Sequence, residues 1–460
     1  MRMALAACVL FLRLAAFAQQ NPSDNPIDPN PWVTLAQAKV PDAPSPQATG
    51  ANPPVQNRLS LKDAEALALK SNPAISVARL NALASHQVTR EVRSSLWPDA
   101  YANLTGVDSH DNSRISAGGL NNPIIFERAA GGATVSQLIT DFGHTTNLVS
   151  SARYHEKAED QNALATKEQV LLAVSQAFYG ALQAQAVLKV AEQTVASRQL
   201  LTDQVSALTA SKLKSDLDLS FANVNLAQAK LLLLDAQNNS KAAMASLSAI
   251  LGFADLQNFE LVEDSAPMAN PPGDVDQLIA EAFGERPELR ALEFESQSSE
   301  KLHKADRDLL LPSVNALAAV GGAPVRDDRL SNWYGAAGVN IEVPIFNGFL
   351  YSAKARESDL RAQAVRQSIL DLRNRISRDV RTSWLNAETA FERVSVSEQL
   401  LRQANLALNL AQTRYQLGLS SIVELSQAQL QQTQAEISNA QAGYDYRLSL
   451  SVLRYQTSGL

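Results

Sequence analysis

A tandem duplication is the feature of this 460-residue chain that most constrains its fold. Pro98 and Pro312 follow similar stretches and lie 214 residues apart, while Gly143 and Gly348 lie 205 residues apart. Two further pairs keep nearly the same spacing: Arg93 with Arg307, and Ser215 with Ser421. Because both halves repeat one pattern, the chain is one structural unit written twice and not a string of unrelated domains.

Each repeat predicts the order helix, helix, strand, strand, long helix, long helix. Proline cannot continue a helix interior and biases its predecessor toward extended backbone, so Pro98 and Pro312 mark changes from helix to strand. After Gly143 and Gly348 the apolar pattern becomes helical again. We predict the first repeat over residues 58–272, with strands in 98–142 and a helical hairpin in 143–252. We predict the second repeat over residues 273–460, with strands in 312–347 and a helical hairpin in 348–458.

The N-terminus has the pattern of a secretory signal peptide over residues 1–18. Arg2 supplies positive charge, an apolar run follows, and Ala16-Phe17-Ala18 has the small-x-small form of a cleavage site. Cys8, the single cysteine, would leave with that segment; lipidation at Cys8 is the lesser alternative. Residues 19–57 carry nine prolines, which predicts a flexible tail.

The predicted strands have the length of membrane-crossing strands. They are about ten residues long, as expected for a tilted strand in a bilayer, whereas no apolar run after residue 18 approaches the ~20 residues of a membrane helix. Four strands cannot close a barrel alone, since the smallest barrels have about eight. Open sheet edges cannot face lipid. If these strands lie in a membrane, several chains must share one barrel.

The long helices are expected to form hairpins with short tips. Residues 144–208 and 349–416 contain no proline, and at ~1.5 Å per residue each could run roughly 100 Å. At the second tip, Gly418 suits a helix C-terminus and Ser421 suits the next N-cap, with Glu424 as its capping-box partner. The first tip repeats the device with Ser215 and Asp218. These acids are either caps alone or also line a constriction; their spacing leaves both roles open.

Composition excludes several function classes. A net charge of −7 with 19% charged residues argues against nucleic-acid binding, which needs clustered Lys and Arg. The five histidines show no pair at the spacing of a zinc helix, and no nucleophile or phosphate-loop motif occurs. We therefore expect a protein that is not an enzyme and that has no cofactor and no metal site.

Four motifs together resemble the TolC-like outer-membrane efflux family. They are the helix start N-P at 72–73, R-x-x-L-x-P at 93–98 and again at 307–312, F-x-G at 346–348, and G-L-S-S-I-V-E-L-S-Q-A-Q at 418–429. The resemblance implies an α+β membrane fold in which four strands per chain contribute to a shared trimeric β-barrel, continued by a long periplasmic α-helical barrel. It implies a homotrimer in the cell outer membrane, in contact with outer-membrane lipid. Its expected partners are a periplasmic adaptor (membrane fusion) protein and an inner-membrane transporter.

The resemblance also implies a gate at the hairpin tips. Matching tip to tip, Glu424 falls on an aspartate of the family's constriction, and Gln427 falls where a second aspartate stands. Tyr415 matches a tyrosine that helps to hold the gate shut, and Asp218 matches its partner in the first repeat. Ser420 lies where an arginine would complete an ionic latch, so a hydrogen-bonded closure is expected instead.

The main alternative to a channel is a periplasmic coiled-coil adaptor or scaffold without a pore. An adaptor would carry one hairpin and a β-rich module, whereas this chain predicts two hairpins and four strands at matched places. A secreted enzyme is a third class, and it would need converging acid, base or metal residues that the sequence does not show.

Overall fold

A computed structural model of the chain describes residues 58–108, 128–263, 268, 270–326 and 331–457. The predicted signal peptide, with Cys8, and the predicted proline-rich tail lie outside the described residues. The described residues all belong to one compact unit, residues 57–460.

The order helix, helix, strand, strand, helix, helix occurs twice, but the last helix of each repeat has 35 or 36 residues against 67 in the helix before it, where the sequence predicted two long helices. The first pass comprises α1 (Leu61–Ser71), α2 (Pro73–Ser94), β2 (Asp99–Val107), β3 (Arg128–Thr140), α3 (His144–Ala210) and α4 (Asp216–Ile250). The second comprises α5 (Val275–Glu285), α6 (Pro287–Asp308), β5 (Ser313–Val325), β6 (Trp333–Glu342), α7 (Leu350–Gln416) and α8 (Ile422–Thr457). Two short strands, β1 (Arg58–Leu59) and β4 (Glu260–Leu261), pair in parallel.

The four long strands form one antiparallel sheet in the order β2-β3-β5-β6. The two repeats meet between β3 and β5, where Gly132 pairs with Gly321. Tyr334 of β6 pairs with Gly321 of β5, and a Cβ added at Gly321 would come within 2.4 Å of the Tyr334 ring. The glycines therefore make room for this tyrosine across three strands. All residues of β6 are exposed, and β2 is exposed at every position but its last.

Proline and glycine mark the changes between helix and strand. Pro98 lies between α2 and β2, and Pro312 lies between α6 and β5. Gly143 precedes α3 with a φ of +123°, and Gly348 has a φ of +61° shortly before α7. A side chain at Gly143 would also meet a carboxylate oxygen of Asp308 at 2.8 Å. The chain can reverse into each long helix because these positions carry no Cβ.

Two apolar clusters lie partway down the long helices and attach the short helices to them. In the first repeat, α1 packs on α3 and α4 around Val174, Phe178 and Leu247. In the second, α5 packs on α7 around Ile376 and Val380. Both clusters combine one short helix with the middle of a 67-residue helix, so the duplication extends to the packing.

One sequence expectation, that no apolar stretch after the signal peptide approaches the length of a membrane helix, is corrected by the structure. Among the described residues, α3 alone has an 18-residue window apolar enough to cross a membrane, with a mean hydropathy of 1.3, where the sequence predicted no such stretch. Val174 and Phe178 of the same helix are almost fully buried, at 0% and 1% exposure. We attribute the apolar stretch to this packing, because it supplies the contact face for α1.

A polar network joins the start of α6 to the end of α8 beside α3. The buried Arg286 is 3.2 Å from Glu288 and donates to Gln456 at 2.8 Å, while the Tyr455 hydroxyl donates to Glu288 at 3.2 Å. Glu168 of α3 lies beside this network. Burial, and then the neighbouring Glu288 charge, raise the pKa of Glu168 to about 7.

The raised pKa of Glu168 predicts a pH dependence of stability. Its carboxyl favours the proton more in the folded chain than in the unfolded chain, so its stabilising contribution is lost as pH rises through about 7. We expect Glu168→Gln to exceed the wild type in stability at pH 8 by about 1 kcal/mol per chain, allowing for solvent screening. At pH 5 the two should be nearly equal.

Thermal unfolding of the purified protein at the two pH values measures this difference. Glu192→Gln, an exposed position on the same helix, is the matched control. An equal difference at pH 5 and pH 8 for Glu168→Gln would contradict the assignment.

Candidate functional site at the helical hairpin tips

The two hairpins of one chain meet at their tips. The first tip joins α3 to α4 over residues 211–215, and the second joins α7 to α8 over residues 417–421. Seven buried side chains from both hairpins form one apolar cluster: Val205, Ala222, Ala411, Tyr415, Ile422, Leu425 and Ala428. The sequence-predicted tip residues therefore lie around a common core, to which both repeats contribute.

The first tip begins α4 with a complete capping box. The Asp218 amide donates to Ser215 Oγ at 3.1 Å, and the Ser215 amide donates to the Asp218 carboxylate at 3.1 Å. The Ser215 hydroxyl also donates to that carboxylate at 2.7 Å. Asp218 is thus held in place by its own cap, which fixes where its charge lies.

The second tip has only half of this arrangement. The Glu424 amide lies 3.4 Å from Ser421 Oγ, which accepts its hydrogen bond. The Glu424 carboxylate instead lies 3.6 Å from the Arg414 guanidinium, and within the described chain it makes no return bond to Ser421. The sequence predicted a capping-box partner; the structure gives Glu424 an ion-pair partner from the preceding helix. The longer side chain of glutamate reaches Arg414, whereas the aspartate of the first tip bonds its own cap.

Both long helices end in the same hydrogen-bonded turn. Gly418 has a φ of +75° and its amide donates to Tyr415 O, while the next amide donates to Arg414 O at 2.8 Å. In the first tip Lys212 has a φ of +59°, and Leu213 donates to the carbonyl five residues earlier at 2.9 Å. This is a Schellman motif in both repeats. Lys212 and Gly418 lie 206 residues apart, so a lysine occupies the left-handed position that glycine occupies in the second repeat.

Tyr415 is the buried centre of the two tips. Its side chain is 5% exposed, and Lys214 Nζ from the first tip lies 3.8 Å from the centre of its ring. Burial, and then the nearby Asp218 carboxylate, raise the pKa of Tyr415 to about 12. Its hydroxyl is close to that carboxylate but forms no hydrogen bond of good geometry. Tyr415 therefore remains neutral at physiological pH and joins the two repeats by packing and cation–π attraction.

The two remaining predicted gate residues differ in exposure. Ser420 has a buried hydroxyl that finds no partner within the described chain. Gln427 is exposed and lies one turn beyond the exposed Glu424, on the same face of α8. The structure thus brings Asp218 and Tyr415 together and leaves Glu424 and Gln427 on a surface that faces away from the chain's own core.

A buried arginine that the sequence analysis missed joins the hairpins farther from the tips. Arg198 of α3 is 6% exposed and donates to the Gln429 carbonyl at 2.9 Å and to Thr433 Oγ1 at 3.2 Å. Burial lowers the pKa of Arg198 to about 10, while the Glu436 carboxylate opposes that change. No sequence signal marked it, because arginines on long helices usually face solvent.

Similarity to known proteins assigns the chain to a family. The model of the outer membrane efflux protein family matches residues 66–253 and 278–456. The chain belongs to the outer membrane efflux protein family. The two matched segments correspond to the two halves of the duplication, and together they cover most of the chain.

Individual relatives are distant in sequence. BepC of Brucella suis is 21% identical over 326 residues, which cover 68% of each chain. CusC of Escherichia coli is 24% identical over 314 residues, covering 63% of this chain and 64% of CusC. The sequence matches thus span about two thirds of these relatives' lengths.

Solved structures extend the match over most of the fold. The crystal structure of CusC has a TM-score of 0.76 at 18% identity and covers 87% of this chain and 92% of its own. CmeC of Campylobacter jejuni has a TM-score of 0.75 at 17% identity, covering 88% and 86%.

These findings confirm the predicted fold class and location. The protein is a TolC-like outer-membrane efflux protein whose four strands contribute to a shared trimeric β-barrel, continued by a long α-helical barrel in the periplasm. The family is one of channel proteins and not of enzymes. Among the described residues, no group of His, Cys, Asp and Glu could hold a metal ion.

The unequal residues at the two helix ends predict opposite effects of substitution. Gly418→Ala forces a Cβ into left-handed backbone, which costs about 1 kcal/mol, whereas Lys212→Gly removes the same strain from the first tip. Hydrogen exchange followed by mass spectrometry on the purified trimer should show about fivefold faster exchange at the second tip for Gly418→Ala. Lys212→Gly should slow exchange at the first tip. Equal exchange in wild type and both variants would contradict the strain argument.

Proposed function

We propose that this member of the efflux family is the outer-membrane channel of a tripartite efflux or secretion system. It conducts substrates passively to the exterior from an inner-membrane transporter and a periplasmic adaptor (membrane fusion) protein, and its gate lies at the hairpin tips. The observation that carries the gate is the contact between the two repeats at Tyr415, where one chain joins both of its tips. Family membership supports the channel.

Closure depends on contacts that cross from one hairpin to the other. Lys214 against the Tyr415 ring and the Asp218 carboxylate beside its hydroxyl are the polar contacts of the shared tip core. Opening separates the hairpins at this core, because α7 and α8 must move away from the first tip to widen the entrance. Both tips carry capped helix ends, so each hairpin moves as a unit.

The gate predicts a higher conductance when its contacts are removed. We expect Asp218→Ala combined with Tyr415→Leu to raise single-channel conductance in planar bilayers severalfold, because the Tyr415 ring that Lys214 contacts and the carboxylate beside it are both lost. Asp63→Ala is a matched control, since Ser60 and Asp63 form the same kind of capping box on α1, far from the tips.

Ser215→Ala separates the two roles of Asp218. It removes the two hydrogen bonds of the Ser215 hydroxyl and leaves the Ser215 amide donating to the Asp218 carboxylate beside Tyr415. If Ser215→Ala opens the channel as much as the double substitution, or if the double substitution leaves conductance unchanged, the gate role fails and Asp218 is a cap alone.

The ion pair at the second tip predicts opposite changes of ion selectivity. Arg414 offsets part of the Glu424 charge at 3.6 Å, and both side chains are about half exposed. Glu424→Gln should lower the permeability ratio of cations to anions, and Arg414→Gln should raise it.

Reversal potentials measured across a salt gradient give the permeability ratio. Both changes should shrink in 1 M salt, where the Debye length falls to about 3 Å. Arg402→Gln, higher on α7 and paired with Glu398, is the matched control. If Glu424→Gln and Arg414→Gln shift the ratio in the same direction, or neither shifts it, converging tip charges do not line the entrance.

A further inference from the structure

A basic groove lies between α2 and α3, close to the sheet. We call it the upper groove; its volume is about 500 Å³. Four cations line it, two from each helix: Arg90, Arg93, Arg153 and Lys157. It belongs neither to the hairpin tips nor to the clusters that hold the short helices.

The lining of the upper groove carries more positive than negative charge. Its single carboxylate, Glu156, lies 2.8 Å from His86 Nδ1, and Asp160 lies 3.3 Å from the other ring nitrogen of that histidine. None of the four cations pairs with a carboxylate in the described part of the chain. Four positive groups around one cavity make a strong attraction for an anion.

An unused hydrogen-bond donor lies in the same groove. Thr89 lines it, is 8% exposed, and its hydroxyl has no partner among the described residues. A buried hydroxyl without a partner is unfavourable, so an acceptor oxygen entering the groove would gain a donor there. The site thus combines cations with a neutral donor, as phosphate binding requires.

The upper groove opens on the outer side of the helical layer. Lys157, Leu171 and Phe178 are spaced by multiples of seven residues and therefore lie along one stripe of α3. Phe178 belongs to the cluster beneath α1, and Ile75 of α2, fourteen residues before Thr89, packs against the same cluster. A helix packed on the inner face of the helical layer would block a tunnel, so we place the face that carries α1, and Lys157 with it, on the outer side.

The upper groove also lies near the junction of helices and strands, where we expect the membrane surface. Arg93 is in the last turn of α2, and β2 begins at Asp99, six residues later. Between them Trp97 is 64% exposed, as expected for an aromatic residue at a membrane–water interface. Arginine and lysine at such a boundary reach lipid phosphates with long side chains.

The second repeat shows that the groove is not a by-product of the fold. The positions equivalent to Arg153 and Lys157, 205 residues on, are the buried Ser358 and Ala362. The position equivalent to Thr89 is His303, whose ring nitrogen lies 3.1 Å from a backbone carbonyl of α7. The same helix pair is thus closed and satisfied in the second repeat, but open and basic in the first.

From this geometry we infer that the upper groove binds the phosphate of a glycerophospholipid in the periplasmic leaflet of the outer membrane. The four cations hold the phosphate oxygens, Thr89 donates to one of them, and the acyl chains extend toward the sheet. The inference depends on the membrane fold and not on the gate, so a failure of the gate experiments leaves it untouched.

Lipid binding by the full-length trimer in detergent tests the site. Native mass spectrometry at graded phosphatidylglycerol concentrations should give saturable binding of about one lipid per chain. Arg93→Gln combined with Lys157→Gln should weaken it about thirtyfold, since each basic residue near an anionic surface contributes about a factor of five. Lys304→Gln combined with Arg307→Gln removes the same charge at the equivalent place of the second repeat and should leave binding unchanged.

Two further arms identify the ligand and the donor. Millimolar inorganic phosphate should compete weakly; full displacement by it would assign the groove to free phosphate and overturn the lipid proposal. Thr89→Val should weaken binding severalfold without changing the thermal unfolding of the lipid-free trimer. Equal loss of binding in the Arg93/Lys157 and Lys304/Arg307 variants, or in neither, would show general surface attraction and no site.

Discussion

Backbone hydrogen bonding in a medium without water is the constraint on which the rest of the structure depends. β2 and β6 are the edges of the four-stranded sheet, and both are exposed along nearly their whole length. In hydrocarbon an unpaired N–H or C=O group costs several kcal/mol, so one chain's edges must pair with those of its neighbours. Trimerisation is therefore a condition for the sheet to lie in the membrane.

The helical layer of one chain also lacks a neighbour, as a comparison of equivalent positions in the two repeats shows. Ser151 and Ala165 of α3 are buried, and Ser151 bonds to Ser298 of α6 at 3.0 Å. Their equivalents on α7, 205 residues on, are Arg356 and Leu370, and both are exposed. The face of α7 that corresponds to a packed face of α3 thus has no partner helix among the described residues. By the pseudo-symmetry of the repeats, we infer that a neighbouring chain supplies that helix in the trimer.

The fold could be predicted from the sequence where backbone chemistry determines it, and the site could not where long side chains choose among partners. Pro98 and Gly348 marked changes between helix and strand because proline and glycine act through φ and ψ alone. Glu424 was predicted to complete a cap and instead contacts Arg414. Nothing in the spacing separates these outcomes, since they differ in energy by less than about 1 kcal/mol. The positive φ of Lys212 could not be predicted either, because lysine has no preference for left-handed backbone.

The two repeats share the same backbone turns and helix ends and differ in the side chains at those positions. Asp218 and Glu424 lie at matched positions, yet one bonds its own cap and the other an arginine of the preceding helix. Relatives near 20% identity share the fold in the same way, so a role cannot be carried from one tip to another by position alone. The chemistry of each tip has to be read from its own contacts.

Those contacts would make the proposed gate easy to open. An ionic latch with both partners buried would cost several kcal/mol to break, because it would leave a desolvated charge unpaired. Here the centre is Tyr415, whose hydroxyl has no hydrogen-bond partner among the described residues, with a lysine against its ring. Cation–π attraction of this kind contributes about 0.5–2 kcal/mol, and the buried hydroxyl regains a hydrogen bond when water reaches it. The buried hydroxyl of Ser420, which also has no partner in the part of the chain that the structure describes, would gain in the same way. Opening of the proposed gate therefore exchanges weak packing for hydration, and a ligand of the open tips would need little differential affinity to shift the equilibrium.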